Sequence, residues 1–242
     1  MSLIITVYAR EGLVMAADSR LTLTIPRALP GGQAHTLSLT ASDSAKKLFL
    51  APNNVGIATC GAADIGGVPI AGFVESFIVE RLKGQTHTVD QVAHELTAYL
   101  VAAGIGPNTV FHVAGYTATE GGLEQVLLQV NPAAGQNIRL NPPGQQGANW
   151  NGEIDVLQRL LNDVSLNQPG GQPQLQLPVF PVPFEFFTLQ DAIDFAVFGI
   201  RSTIETLRFQ AREKTVGGPV DVLVITPDDS KWIRRKELAA NV

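Results

Sequence analysis

The chain has 242 residues, of which 45% are hydrophobic and 16% charged, with a formal net charge of -5. That balance excludes a disordered chain, and the length suits one sizeable domain, residues 1–242, with a full core. No Lys/Arg cluster occurs outside the late stretch KWIRRKEL, which argues against a nucleic-acid surface, and no apolar run reaches the ~18 residues of a membrane span.

The first elements read as paired strands, LIITVY and LVMAAD, joined by a tight connection at Ala9–Gly12. No basic region precedes this apolar stretch, so no secretory signal is expected. From Ser19 to Ser44 the prolines and paired glycines of TIPRALPGGQAHT favour an extended hairpin or loop. KKLFLA and VGIATC, flanking PNN, make a second hairpin whose far strand ends at CGAAD, where Gly61 allows close backbone approach. Cys60 is the one cysteine and reads as a buried structural thiol; it cannot form an internal disulfide, which suits a reducing cytoplasm, the expected location.

Apolar residues at helical spacing predict a helix over Ile65–Lys83, ended by Gly84. Thr88 and Gln91 form a capping box ahead of VAHELTAYLVAAG, closed by Gly104. TVFHVAGY and LEQVLLQV then read as a hairpin around TATEGG. A third helix is expected over Glu153–Asp163, followed by a Pro/Gln-rich stretch that cannot hold a helix. Thr188 starts a long amphipathic helix reaching about Glu213, and GGPVDVLVI supplies a buried strand. KWIRRKEL reads as a solvated strand end or helix. Antiparallel hairpins with helices in pairs fit an α+β fold, two antiparallel sheets face to face with a helix pair outside each: a four-layer αββα sandwich.

At AADSR, KKLFL, CGAAD and GGPVDVLVI the sequence resembles the proteasome β-type subunit and the related bacterial ring proteases, members of the N-terminal nucleophile hydrolases. In that family a nucleophile opens the first strand, an Asp ends the second, a Lys begins the third and a Gly ends the fourth. Here those places fall on Ser2, Asp18, Lys47 and Gly61. The intervals from residue 2 to Asp18 and from Lys47 to Gly61 match without a gap; the longer stretch between them implies an insertion at about 22–43, with a second at about 165–187. There is no room for the extra N-terminal helix of the family's α-type subunits, so the resemblance is to the β-type.

The resemblance implies that, once Met1 is removed, the Ser2 hydroxyl attacks a peptide carbonyl while its own α-amine takes the proton. Lys47 would stabilise charge developing on Oγ, Asp18 would hold Lys47, and the Gly61 N–H would donate to the oxyanion, a donor worth on the order of 3 kcal/mol. Supporting places fall on Glu213, where the family has Asp, and on Asn151, where it has Ser. Ser2 replaces the usual Thr, and Val216 stands where a hydroxyl residue normally helps hold the terminal amine.

His35, His87, His94 and His112 show no ligand spacing, so neither a metal nor another cofactor is expected. Neither GxSxG nor GxxxxGK[ST] occurs. The expected function is a peptidase within a ring-shaped homo-oligomer, possibly of stacked rings, taking peptides or unfolded protein, with an ATP-dependent unfoldase as a possible partner. The alternative, motivated by Val216 and by the Met1 ahead of Ser2, which would cap the amine if it stayed in place, is a catalytically silent ring scaffold or regulatory subunit; a small-molecule amidase is a third reading.

Overall fold

A computed structural model describes residues 2–28, 34–167, 170, 175–178 and 180–237. Met1, whose removal the expected mechanism needs, lies outside the described residues, as do 29–33 of the first expected insertion and 168–169, 171–174 and 179 of the second.

In chain order the elements are β1 (Leu3–Ala9), β2 (Gly12–Ala17), β3 (Leu21–Ala28), β4 (Ala34–Ser42), β5 (Leu48–Ala51), β6 (Val55–Cys60), β7 (Asp64–Ile65) and β8 (Val68–Pro69). Helix α1 (Ile70–Phe77) runs into a π-helical turn at Ile78–Leu82 and is followed by α2 (Val89–Ala102). Then come β9 (Val110–Thr119), β10 (Gly122–Asn131), β11 (Gln136–Arg139), β12 (Gly147–Gly152), α3 (Asp155–Leu161), β13 (Ser165–Leu166), β14 (Leu175–Gln176), α4 (Leu189–Phe209), β15 (Asp221–Ile225) and β16 (Ser230–Arg234).

The fold is α+β, and every paired strand is antiparallel to its neighbour. One five-stranded sheet has the order β12-β1-β2-β15-β16, and a second has the order β11-β10-β9-β6-β5. β1 is buried along its whole length, which explains why LIITVY is apolar on both faces apart from Thr6 and does not alternate. Its two faces have different partners. Leu3, Ile5 and Val7 pack with Leu157 of α3 and Ala192, Ala196 and Ile200 of α4. Ile4 and Tyr8 pack with Leu48, Ala58, Ala114 and Leu127 of the second sheet. The other face of that second sheet, through Phe49, Ile57, Phe111 and Val113, packs on Val74 and Phe77 of α1 and Leu96 and Leu100 of α2. Each fully buried aliphatic side chain in these clusters contributes about 1.5–3 kcal/mol.

The sequence expectations hold for the principal hairpins and helices, with shifted ends. α1 begins at Ile70, because Ile65 and Val68 belong to the short β7–β8 hairpin ahead of Pro69. The capping boxes of α2 and α4 are present: Thr88 accepts from the Gln91 amide, and Thr188 from the Asp191 amide. α3 covers Asp155–Leu161, shorter than expected, and α4 stops at Phe209. β11 and β12 lacked a recognised signal, as did the short strands β7, β8, β13 and β14, and KWIR forms most of the edge strand β16. Within the first insertion β3 and β4 pair with each other, and the end of the second is pinned to α4 by packing of Phe184 and Phe187 on Phe195. No helix among the described residues is long and apolar enough to cross a membrane.

Candidate functional site

Ser2 sits one residue ahead of β1, is buried, and lines a cavity of about 280 Å³. Lys47, one residue ahead of β5, and Gly61, one residue past β6, line the same cavity. The β5–β6 hairpin brings these two together across the sheet, since Thr59 donates its amide to the Lys47 carbonyl. The start of α1, at Pro69, Ile70 and Ala71, lines it as well, and the Ile70 amide donates to the Ala63 carbonyl at 3.1 Å.

Asp18 follows β2 and is fully buried. Its Oδ1 accepts from the Leu3 amide at 3.0 Å and from Lys47 Nζ at 2.8 Å. Its Oδ2 accepts from the amides of Arg20 and Gly217, both at 3.0 Å. One carboxylate thus ties together the entry to β1, the exit of β2, the approach to β5 and the segment ahead of β15. Lys47 Nζ also donates to the Arg20 carbonyl at 2.5 Å. Burial pulls the Lys47 pKa below its ordinary value, while the Asp18 charge and hydrogen bond oppose that shift. The ammonium is held almost out of water with its counter-charge beside it.

Gly61 has φ 113°, and a Cβ there would lie 1.8 Å from the Asn108 carbonyl oxygen. Only glycine fits that position. A second glycine does the same for Ser2: Gly152 has φ 106°, and its Cβ would lie 1.8 Å from the Ser2 carbonyl oxygen. The next residue, Glu153, donates its amide to that carbonyl at 2.8 Å. The Glu153 side chain is buried and accepts from Thr215 Oγ1 at 2.7 Å and from Arg212 Nη1 at 3.1 Å.

The supporting residues expected from sequence are placed elsewhere. Glu213 is exposed and lines no part of the cavity. The buried acid next to Ser2 is Glu153, which the sequence reading took only as the start of a helix. Asn151 turns between the sheets, where its Oδ1 accepts from His112 Nε2 at 2.7 Å. His112 Nδ1 then accepts from the Thr6 hydroxyl at 2.8 Å. Burial drives the His112 pKa from 6.5 down to about 4, against the opposing pull of the Asn151 bond, so the ring is neutral and bridges the two sheets. Val216 packs among the residues facing α3 and α4, while its neighbour Thr215 supplies a hydroxyl to Glu153. The burial of Glu153 and Thr215 has no periodic signature, because both lie in connections between elements.

Cys60 is buried, and burial pushes its thiol up to about 12 despite the nearby Lys47 charge. It is therefore not a nucleophile at neutral pH. Among the described residues no group of three or more His, Cys, Asp or Glu side chains could hold a metal ion. Comparison with models of protein families found no match, and comparison with curated proteins found none.

Proposed function

We propose that this chain is a proteasome-like N-terminal nucleophile peptidase of one domain, its two large sheets and flanking helices stacked as a four-layer αββα sandwich. The carrying observation is the convergence of Ser2, Lys47 and Gly61 on one cavity, with Asp18 fixing Lys47 from behind. In the proposed reaction the Ser2 α-amine, freed by loss of Met1, takes the hydroxyl proton as Oγ attacks the peptide carbonyl. The Lys47 ammonium disfavours protonation of that amine and stabilises the attacking oxygen. The Gly61 N–H donates to the oxyanion. The C–N bond then breaks, the leaving amine takes the proton, and water hydrolyses the ester on Ser2. In this reading Glu153 and Thr215 position Ser2, in place of the expected Glu213.

The assembly that goes with this reading is a homo-oligomeric ring in the cytoplasm, possibly stacked and served by an ATP-dependent unfoldase, taking peptides or unfolded protein. A second reading, a silent ring scaffold or regulatory subunit, is favoured by one feature. Val216 offers no hydroxyl where the family holds the terminal amine, and it packs towards α3 and α4. Intact mass of the purified protein, followed by a peptide-substrate screen with a Ser2→Ala control, separates the two. Loss of one methionine with Ser2-dependent turnover supports the peptidase; a retained methionine and no turnover support the scaffold.

A further inference from the structure

We infer that Arg20, through its ion pair with Asp43, is a positioning residue for Lys47 and for the segment that supports Ser2; this rests on the reading of Ser2 as the nucleophile and names a residue on which that reaction depends. The main chain of Arg20 belongs to the immediate surroundings of the lysine. Its amide donates to Asp18 Oδ2 at 3.0 Å, and its carbonyl accepts from Lys47 Nζ at 2.5 Å. A shift of this one residue therefore moves an acceptor of the buried ammonium and a donor to its counter-ion together.

The side chain anchors that main chain from two sides. Arg20 Nε donates to Asp43 Oδ1 at 2.6 Å and Nη2 donates to Asp43 Oδ2 at 2.8 Å, a two-point pair of defined geometry. Arg20 stands just ahead of β3 and Asp43 just past β4, so the pair closes the base of the β3–β4 hairpin. That hairpin is a two-stranded sheet of its own, and an isolated ribbon of this kind is marginally stable. The clamp keeps its motions from reaching the Arg20 carbonyl. On the other side, Nη1 donates to the Lys214 carbonyl at 3.2 Å. Lys214 adjoins Thr215, whose hydroxyl meets Glu153, and the Glu153 amide holds the Ser2 carbonyl.

Two glycines make room for the pair. A Cβ at Gly217 would lie 2.5 Å from the Arg20 guanidinium carbon, and one at Gly218 would lie 2.5 Å from the Asp43 carbonyl oxygen. Gly217 does not have the positive φ of Gly218, so what its missing side chain provides is the seat for the guanidinium.

The test uses the full chain with Arg20→Met, Asp43→Asn, both together, Arg20→Lys, and Gly217→Ala, which retains both partners but displaces the guanidinium. With acetyl-Ala-Ala-Leu-coumarin amide as substrate, Arg20→Met is expected to lower kcat about tenfold or more with KM within about twofold, the pattern of misplaced reacting groups. Asp43→Asn and the double variant should match it, because the two side chains act as a unit, and Arg20→Lys should recover part of the loss. The melting temperature should change little, since a partly exposed ion pair contributes little to stability. Competitive acetylation of the folded Ser2→Ala protein, read by mass spectrometry, should label Lys47 about tenfold faster once Arg20→Met is added, the scale of one lost hydrogen bond to a charged group, with Lys46 unchanged. If Arg20→Met does not fold, Asp43→Asn and Gly217→Ala carry both measurements. Faster Lys47 labelling without turnover by the wild type supports the positioning and defeats the peptidase. Turnover with kcat unmoved by these variants, a change in KM alone, or unmoved Lys47 labelling overturns the inference.

Discussion

The Lys47 ammonium lies 2.8 Å from Asp18 Oδ1, with side-chain exposures of 6% and 0%. The pair joins the second sheet, through the residue ahead of β5, to the first, through the residue after β2. Removing one partner from such a pair leaves a buried charge without compensation. Asp18→Asn is expected to lower stability by about 3–5 kcal/mol. Urea unfolding measures this, and Asp18→Asn combined with Lys47→Met should recover part of the loss. Equal losses in the single and double variants would show that the cost comes from the Asp18 amide bonds and not from the stranded ammonium.

Gly152 holds the turn out of β12 against the Ser2 carbonyl. Gly152→Ala places a methyl where only 1.8 Å is free, at a φ that L residues rarely adopt. We expect a loss of about 1–3 kcal/mol from strain alone, together with displacement of Ser2. Hydrogen exchange at the Glu153 amide, which donates to Ser2, reads the displacement directly, and unchanged protection would refute it.

His112 makes stability depend on pH in a defined direction. Its pKa is 6.5 ordinarily and about 4 in the folded protein. Between those values the unfolded chain binds the proton and the folded chain does not, so stability rises with pH across the window and levels off above it. The full contribution is roughly 3 kcal/mol. Thermal unfolding followed from about pH 4 to 7 should show this slope in the wild type and lose much of it in His112→Asn; identical slopes would sink the assignment.

Cys60 should be silent to alkylation in the native state. With the thiol pushed up to about 12, only about one molecule in ten thousand carries a thiolate near pH 8. Iodoacetamide should label the unfolded protein readily and the native protein far more slowly, as mass spectrometry would show. Fast native labelling would mean that the thiol is ionised by Lys47 and open to solvent.

Local chemistry was legible in the sequence where it acts over a few residues. Thr88 with Gln91 satisfies orphan helix amides within one turn and stands where expected, and the helix start expected at Thr188 is closed in the structure by a box with Asp191. The left-handed Asn53 and Asn54 mark the β5–β6 turn within PNN. Ser2, Asp18, Lys47 and Gly61 were singled out by the resemblance of their motifs, and the β5–β6 register explains why the Lys47 and Gly61 ends lie close together.

What sequence alone could not supply was the set of long-range pairings. β12 carries no strong strand pattern in GANWNG, yet it is recruited as a sheet edge because β1 offers it unpaired backbone groups. Through that pairing Gly152 and Glu153 come against Ser2, Glu153 meets Thr215, and Asn151 meets His112. Residues 2, 153 and 215 are distant along the chain, so no local periodicity links them. The sequence by itself determined the principal hairpins, the main helices and the α2 capping box, and its motifs carried the resemblance that singled out Ser2, Asp18, Lys47 and Gly61. Only the tertiary structure decided which acid is buried beside the serine, because burial and hydrogen bonding depend on how separate strands and loops close over one another.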